Sequence, residues 1–478
     1  MWSRPARRSL VAAAALGAAT LLATSACSLS DSGDGKAVHV VVGYQSKTLN
    51  TVTAGTLLRA DGDFEKQLTE LSKTTGKKYV VDWQDYDTGA PITTGMIAGK
   101  IDIGSMGDYP LLINGSRATA NPATTTEMLS VTGSSATGAL NGVVVAPGST
   151  ATSLADLRGE AVSASVGSAG HGTLVRALGR LNINPTSGVD VRNQQPQIGA
   201  SALESGRVDA LSQFAAWPGL LVFQGKAKLL YDGGELGVPT LHGVVARKQF
   251  VDQDADIVNA FLRAQIDTAA ALAADPFHAA QTVADATKLP AEVVYLYNGP
   301  GGADLNPAVT PSLVDALRGD QPYLKSIGSF PHELDLGTFI NTGPLAKAFA
   351  AAGQDYNQAL TRTEIPALRG NDPVCNKPIP ASGGAELWIA GANATQPAAD
   401  PTCLLRAIKR AQSQHQTVRV AYIFDHTNGT RWFADKSAWL RDGDEYLPFT
   451  TMDGANRYAA THPDATHVTY DRAIAEVV

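Results

Sequence analysis

The sequence predicts two α/β lobes joined by two chain crossings, with a small α+β domain at the C-terminal end. Three observations carry this expectation. Short apolar runs alternate with Ala/Leu-rich amphipathic stretches from Val38 onward, the rhythm of strands and helices in a doubly wound sheet. The rhythm restarts near Asn141, and the composition breaks after Phe349, where Pro, Gly and Asn become frequent. A chain of 478 residues is also too long for one compact domain of ordinary size.

The chain opens with a leader. Arg4, Arg7 and Arg8 form a basic stretch, 10–22 is small and apolar, and Thr24-Ser25-Ala26-Cys27 has the form of a lipobox. This resembles a bacterial lipoprotein signal peptide over 1–27. Cleavage there leaves Cys27 at the N-terminus, to carry a lipid that holds the protein against the outer face of the cytoplasmic membrane. Ordinary secretion with an incidental cysteine is the alternative, since Thr24 stands where Leu is usual. The apolar stretch is shorter than the roughly 20 residues of a membrane helix. Residues 28–37, rich in Ser, Asp and Gly, read as a tether.

Lobe 1 is expected over 38–140 and 243–350. A strand at 38–42 precedes a helical pattern at 64–71, a strand at 79–83, a helix at 92–98 and a strand at 101–104. A further helix begins at Tyr109, with Asp108 as its cap and Pro110 tolerated in the first turn. Lobe 2, 141–242, repeats the pattern with strands at 142–146, 161–166 and 208–211 and helices at 153–159, 174–181 and 197–205. A strand at 243–246 leads into long helices at 255–273 and 277–287, which return the chain to lobe 1. Residues 351–402 read as a Pro/Gly-rich linker and 403–478 as a separate domain. That domain has helices at 404–411 and 455–460 and strands at 418–424, 430–433, 446–449 and 468–470. Asn428-Gly429 marks its hairpin turn.

The net charge is −7, with both signs interspersed, so no basic stripe for nucleic acid is present. Once Cys27 is assigned to lipid, Cys375 and Cys403 are left in an oxidising compartment and are expected to pair. They bracket a loop-rich stretch that a staple would stabilise. Zinc-type Cys or Cys/His spacing is missing, so neither metal nor cofactor is expected. No Gly-x-Ser-x-Gly elbow, Walker loop or His-Glu-x-x-His motif occurs, and the nine histidines are scattered. Binding is therefore favoured over catalysis.

Ligands of α/β folds sit at strand ends, which directs attention to four loops. In 166–173, backbone N–H groups, the hydroxyls of Ser168 and Thr173 and a helix dipole favour an oxyanion, with His171 either a contact or a packing residue. In 104–110, Gly107 and Asp108 follow a strand. Asp108 facing the cleft would repel an anion and welcome an ammonium; otherwise it only caps the helix. Tyr44 and Gln45 end the first strand. Trp217, after the 208–211 strand, either walls the pocket or fills the core.

These residues carry a family resemblance. The stretches 42–45, 81–89, 99–110, 154–159, 167–171 and 204–210 resemble, in order and spacing, the nitrate/sulfonate/taurine group of ABC-transporter solute-binding proteins, from about Val38 to about Phe349. The resemblance implies a type II periplasmic-binding-protein clamshell. Such a protein closes on a small anionic or zwitterionic solute and delivers it to a membrane permease powered by an ATPase. It also implies that Tyr44, Gln45, Gly107, Asp108, Ser168, His171 and Trp217 contact the ligand. Where many sulfonate binders have a Trp-x-Pro turn, this chain has Phe214-Ala215-Ala216-Trp217-Pro218, and no arginine stands in these loops. The tail, through 429–434 and 446–459, resembles NosL-type lipoproteins that handle copper. Met452, His426, His462 and His467 are its candidate soft or imidazole ligands, and a small stabilising module is the plainer reading. An extracytoplasmic copper-handling protein is thus the alternative function. An enzyme descended from the fold would need a reactive His/Cys cluster, and the sequence has none.

Overall fold

The computed structural model describes residues 37–478, so the leader, Cys27 and the tether up to residue 36 lie outside the described residues. The strands of the two lobes are β1 (Ala37–Tyr44), β2 (Lys78–Asp85), β3 (Ile103–Gly107), β4 (Thr126–Ser135), β5 (Asn141–Val145), β6 (Ala161–Ala164), β7 (Asp190–Asn193), β8 (Ala210–Phe214), β9 (Lys228–Asp232) and β10 (Thr240–Arg247). One sheet has the order β2-β1-β3-β10-β4 and the other β7-β6-β8-β5-β9. In each, four strands run in one direction and one, β10 or β5, runs against its two neighbours; the parallel pairs are joined through crossovers. β10, which follows the second crossing, is thereby inserted between β3 and β4.

The helices that position the site are α1 (Gly89–Ile97), α2 (Asp108–Ala118), α3 (Ala169–Arg180), α4 (Pro196–Glu204), α5 (Trp217–Phe223), α6 (Ala255–Ala274), α7 (Pro276–Thr287), α8 (Ala291–Asn298) and α9 (Pro311–Ser326). α6 packs in lobe 1, where Phe261 meets Phe64 edge-on at 5.1 Å. α9 also belongs to lobe 1, since Leu313, Leu317 and Leu324 share a core with Met106, Leu112 and Leu241. Leu174, Ala177 and Leu178 of α3 pack instead on Val143 and Val162 of lobe 2. None of the described helices is long and apolar enough to cross a membrane.

The two crossings, 136–140 and 233–239, lie side by side, and the Val238 N–H donates to the Thr137 carbonyl at 3.2 Å. Gly138 makes this approach possible. Its φ is +95°, and a Cβ there would stand 2.9 Å from the Gly233 oxygen and 3.0 Å from the Val238 oxygen.

The C-terminal part comprises β11 (Ala385–Ile389), β12 (Gln396–Ala398), α10 (Pro401–Ser413), β13 (Val418–Phe424), β14 (Arg431–Phe433), β15 (Ala438–Asp442), β16 (Glu445–Phe449), α11 (Met452–Thr461), β17 (Thr466–Val468) and α12 (Tyr470–Glu476). Its sheets have the orders β12-β11-β13-β14 and β16-β15-β17. This corrects the boundary expected at residue 403. β11 is an interior strand of the sheet with Leu387 and Trp388 1 % exposed, so the domain reaches back to Ala385. The strand expected at 468–470 ends at Val468, because Thr469 caps α12 by accepting the Arg472 N–H. Cys375 and Cys403 are joined, across a sequence separation of 28, and so fasten the preceding loop to α10. Asp372 organises that loop by accepting the N–H groups of Val374, Cys375 and Ala399.

Nor is this part a separate body. Trp388, Tyr422 and Phe433 share one core with Trp217, Phe277, Tyr295 and Tyr297. At its centre Arg431 is paired with Glu386, both within 2 % of full burial, and its guanidinium lies 4.7 Å from the Tyr295 ring and 4.2 Å from the Tyr422 ring. Asn428 donates to Asp232 at 2.8 Å and Arg457 pairs with Glu235 at 2.7 Å, so the same domain also holds the start of the second crossing.

Candidate functional site: the cleft between the lobes

Three helices begin at one cavity of about 300 Å³ between the lobes. α1 starts after Thr88, whose extended backbone lets the chain turn out of β2, and Pro91 fits its first turn. α3 starts after Ser168, whose Oγ accepts the His171 N–H at 3.2 Å. α4 starts after Gln195, with Pro196 at its first position. Thr88, Gly89 and Ala90 therefore face the cavity from lobe 1, and 165–168 and 193–195 face it from lobe 2. Ser165 braces the second wall: its Oγ donates to the Gln194 carbonyl at 2.9 Å and accepts from Gln213 Nε2 at 3.1 Å.

Each helix start carries a partial positive charge of about half an elementary charge, from N–H groups without a helical partner. Arg117, near the end of α2, adds a full charge and is the one charged residue among the described residues lining the cavity. Among the described residues the lining contains no carboxylate. Small hydroxyls and amides from Thr93, Ser168, Asn193 and Gln194 complete a wall suited to a compact anion, with Ile113 and Val166 offering apolar surface to a short chain.

Of the seven residues expected to touch ligand, Ser168 lines this cavity. Gly107 lies at a contact between lobes, where a Cβ would stand 3.0 Å from His242 Nε2 and 3.1 Å from Ala169 Cβ. Asp108 corrects the expectation of a cleft-facing carboxylate. It is buried, with Oδ2 accepting Thr240 Oγ at 2.6 Å and Oδ1 accepting the Tyr109 N–H at 2.8 Å, and burial raises its pKa. Its carboxylate ties α2 to β10. His171 is buried in the first turn of α3, its Nδ1 accepting the Gly167 N–H at 3.3 Å. Burial lowers its pKa to about 4, which keeps it neutral near pH 7.

Tyr44 turns its ring edge-on to Trp83 at 5.6 Å, and its hydroxyl accepts from Arg59. Gln45 donates to the Ser105 carbonyl at 3.1 Å, joining the ends of β1 and β3. Trp217 fills the core shared with the C-terminal domain at the start of α5, the core-filling alternative of the two it was given. The sequence reading missed Arg117, Thr88–Ala90 as a segment 88–90, and 193–195. The last had a signal, a strand end followed closely by Pro196 at a helix start, whereas Arg117 belongs to no motif.

The histidines of the tail are not gathered into a metal set. His426 meets the Tyr458 ring edge-on and His462 stacks on it, at 5.1 and 3.8 Å between centroids. Among the described residues the one group of three His, Cys, Asp or Glu with suitably close ligand atoms is Asp372, Cys375 and Cys403, and its sulfurs are joined to each other.

Comparison with known proteins bears on the fold of the two lobes. The family described as NMT1/THI5 like matches residues 117–279. The taurine-binding periplasmic protein of Escherichia coli (strain K12) is 29% identical over 244 residues, 50% of this chain and 68% of that protein. Among solved structures, the alkanesulfonate-binding protein SsuA from Xanthomonas axonopodis pv. citri bound to MOPS superposes with a TM-score of 0.52 at 19% identity, covering 63% of this chain and 98% of that one. The periplasmic aliphatic sulphonate binding protein SsuA from Escherichia coli gives 0.51 at 21% identity, covering 63% and 92%. The structural likenesses show the two-lobed fold of those binding proteins, and the sequence matches show similarity to periplasmic taurine- and aliphatic sulfonate-binding proteins, with the NMT1/THI5-like match confined to residues 117–279.

Proposed function

We propose that this protein is the non-catalytic, extracytoplasmic solute-binding component of an ABC importer. It captures a small anion of the sulfonate class between its lobes and delivers it to a membrane permease powered by an ATPase. The observation that carries the proposal is the convergence of three helix starts and Arg117 on one cavity without a carboxylate. That lining favours an anion over a zwitterion, because among the described residues it carries no negative charge to pair with an ammonium. Lipid attachment at Cys27 belongs to the same proposal, since a tethered receptor stays near its permease. The contacting residues proposed are Thr88, Arg117, Ser168, Asn193 and Gln194.

A thermal-shift screen tests it with short alkanesulfonates, taurine, nitrate, a pyrimidine and Cu(I), because a ligand that binds only the folded state raises apparent stability by mass action. Alkanesulfonates are expected to raise the Tm, and taurine less. A response to Cu(I) alone would replace this function by the copper-handling one.

A further inference from the structure

α3 does two things at once. Its N-terminal flank lines the cavity, and one of its faces is pressed against the other lobe. Ala169 meets Gly107, a Cβ at Gly172 would stand 2.3 Å from the Tyr109 ring, and Arg176 reaches α9. Positions 169, 172 and 176 follow helical spacing, so this is a single stripe along α3. Arg176 is its outermost member. Its Nε donates to Asp320 Oδ1 at 2.9 Å, its Nη2 lies 2.7 Å from the same oxygen, and its guanidinium covers the Tyr323 ring at 4.7 Å. The side chains of Arg176 and Asp320 are only 13% and 5% exposed. Opening the hinge would pull α3 away from α2 and α9, breaking this pair and wetting both charges.

We infer that Arg176 is the closing latch of the cleft: its bond to Asp320 forms when the lobes meet and sets how slowly a captured solute escapes. The inference rests on the proposed capture between lobes. Arg176 is not among the residues lining the cavity, so it acts as a positioning residue through α3, whose N-terminal flank lines it. A latch of this kind acts after encounter, so it governs dissociation and leaves association unchanged.

The test compares Arg176→Met, Asp320→Asn and Arg176→Lys with the parent chain. Spin labels at Lys100→Cys and Arg207→Cys, exposed on the two lobes, report their separation in a Cys27→Ser background. Ethanesulfonate association and dissociation are followed by stopped flow. Arg176→Met and Asp320→Asn are expected to add a longer label distance and to raise the dissociation rate at least tenfold with association within twofold. Arg176→Lys, which keeps the charge, is expected to recover part of both effects. Label distances unchanged in both charge-removing variants, or changed without a faster dissociation, would overturn the latch. If the parent chain binds no sulfonate at all, the proposed function fails on that result, while the label distances still decide whether Arg176 holds the lobes together.

Discussion

Asp108 and Arg117 stand at opposite ends of α2, and only Arg117 reaches the cavity. The sequence showed Asp108 at a strand end, where ligands bind, but not that its carboxylate would find Thr240 on β10, a partner 132 residues away. Long-range partners of this kind decide which way a side chain faces, and no local pattern encodes them. Burial also makes two histidines acid-sensitive elements. His171 and His242 have pKa values lowered to about 4 and about 3, while an unfolded histidine titrates near 6.5. The unfolded chain therefore takes up protons first as pH falls below about 6.5, and the stability from their neutral burial is lost on the way down. Asp232, raised to about 6 chiefly by burial, acts in the opposite sense: the folded state binds its proton first, so that contribution grows as pH falls through 6. His242→Gln should thus gain on the parent chain by roughly 3 kcal/mol between pH 7 and pH 4, read from urea unfolding at each pH. A difference independent of pH would remove the assignment.

At the scale of elements, the βαβ alternation was legible because its period is written locally, and β1, β2, α6 and α7 fall close to the positions read from it. α3 was not. Its first turns contain Gly170 and Gly172, which weigh against helix, and the reading placed its start at 174 instead of Ala169. The glycines are there for contact: a Cβ at 170 would stand 2.5 Å from the Gln213 backbone, and Gly172 receives the Tyr109 ring. Gly172→Ala separates these demands. Helix propensity should raise or preserve the Tm, by up to about 1 kcal/mol of stability, while the methyl wedged against Tyr109 should weaken solute binding at least tenfold by calorimetric titration. Equal affinity would mean that α3 and α2 need not meet for capture. β11 was missed for another reason: the six residues between Gly383-Gly384 and Gly391 look like loop until β12 and β13 flank them.

The whole molecule is more connected than its composition suggests. The Pro/Gly-rich stretch before Ala385 resembled a linker, yet the domain that follows shares a core with α5, α7 and α8. Cutting the chain after Leu360 would bare Trp217, Phe277 and Tyr295 and free the Asp232 side of the hinge. The truncated protein is expected to aggregate or to melt at least 10 °C lower in a calorimetric scan. A truncation with an unchanged Tm would restore an independent domain. Glu386→Ala should cost about 3–5 kcal/mol in chemical unfolding, because it strands Arg431 in that core. The cleft itself is tested most directly by titrating ethanesulfonate into the parent chain and into Arg117→Ala by isothermal calorimetry. One site per chain, weakened at least tenfold by the substitution, about 1.4 kcal/mol, is the expected result. Binding of equal strength in both, or of taurine in preference to ethanesulfonate, would contradict an anion held by Arg117 and the three helix starts.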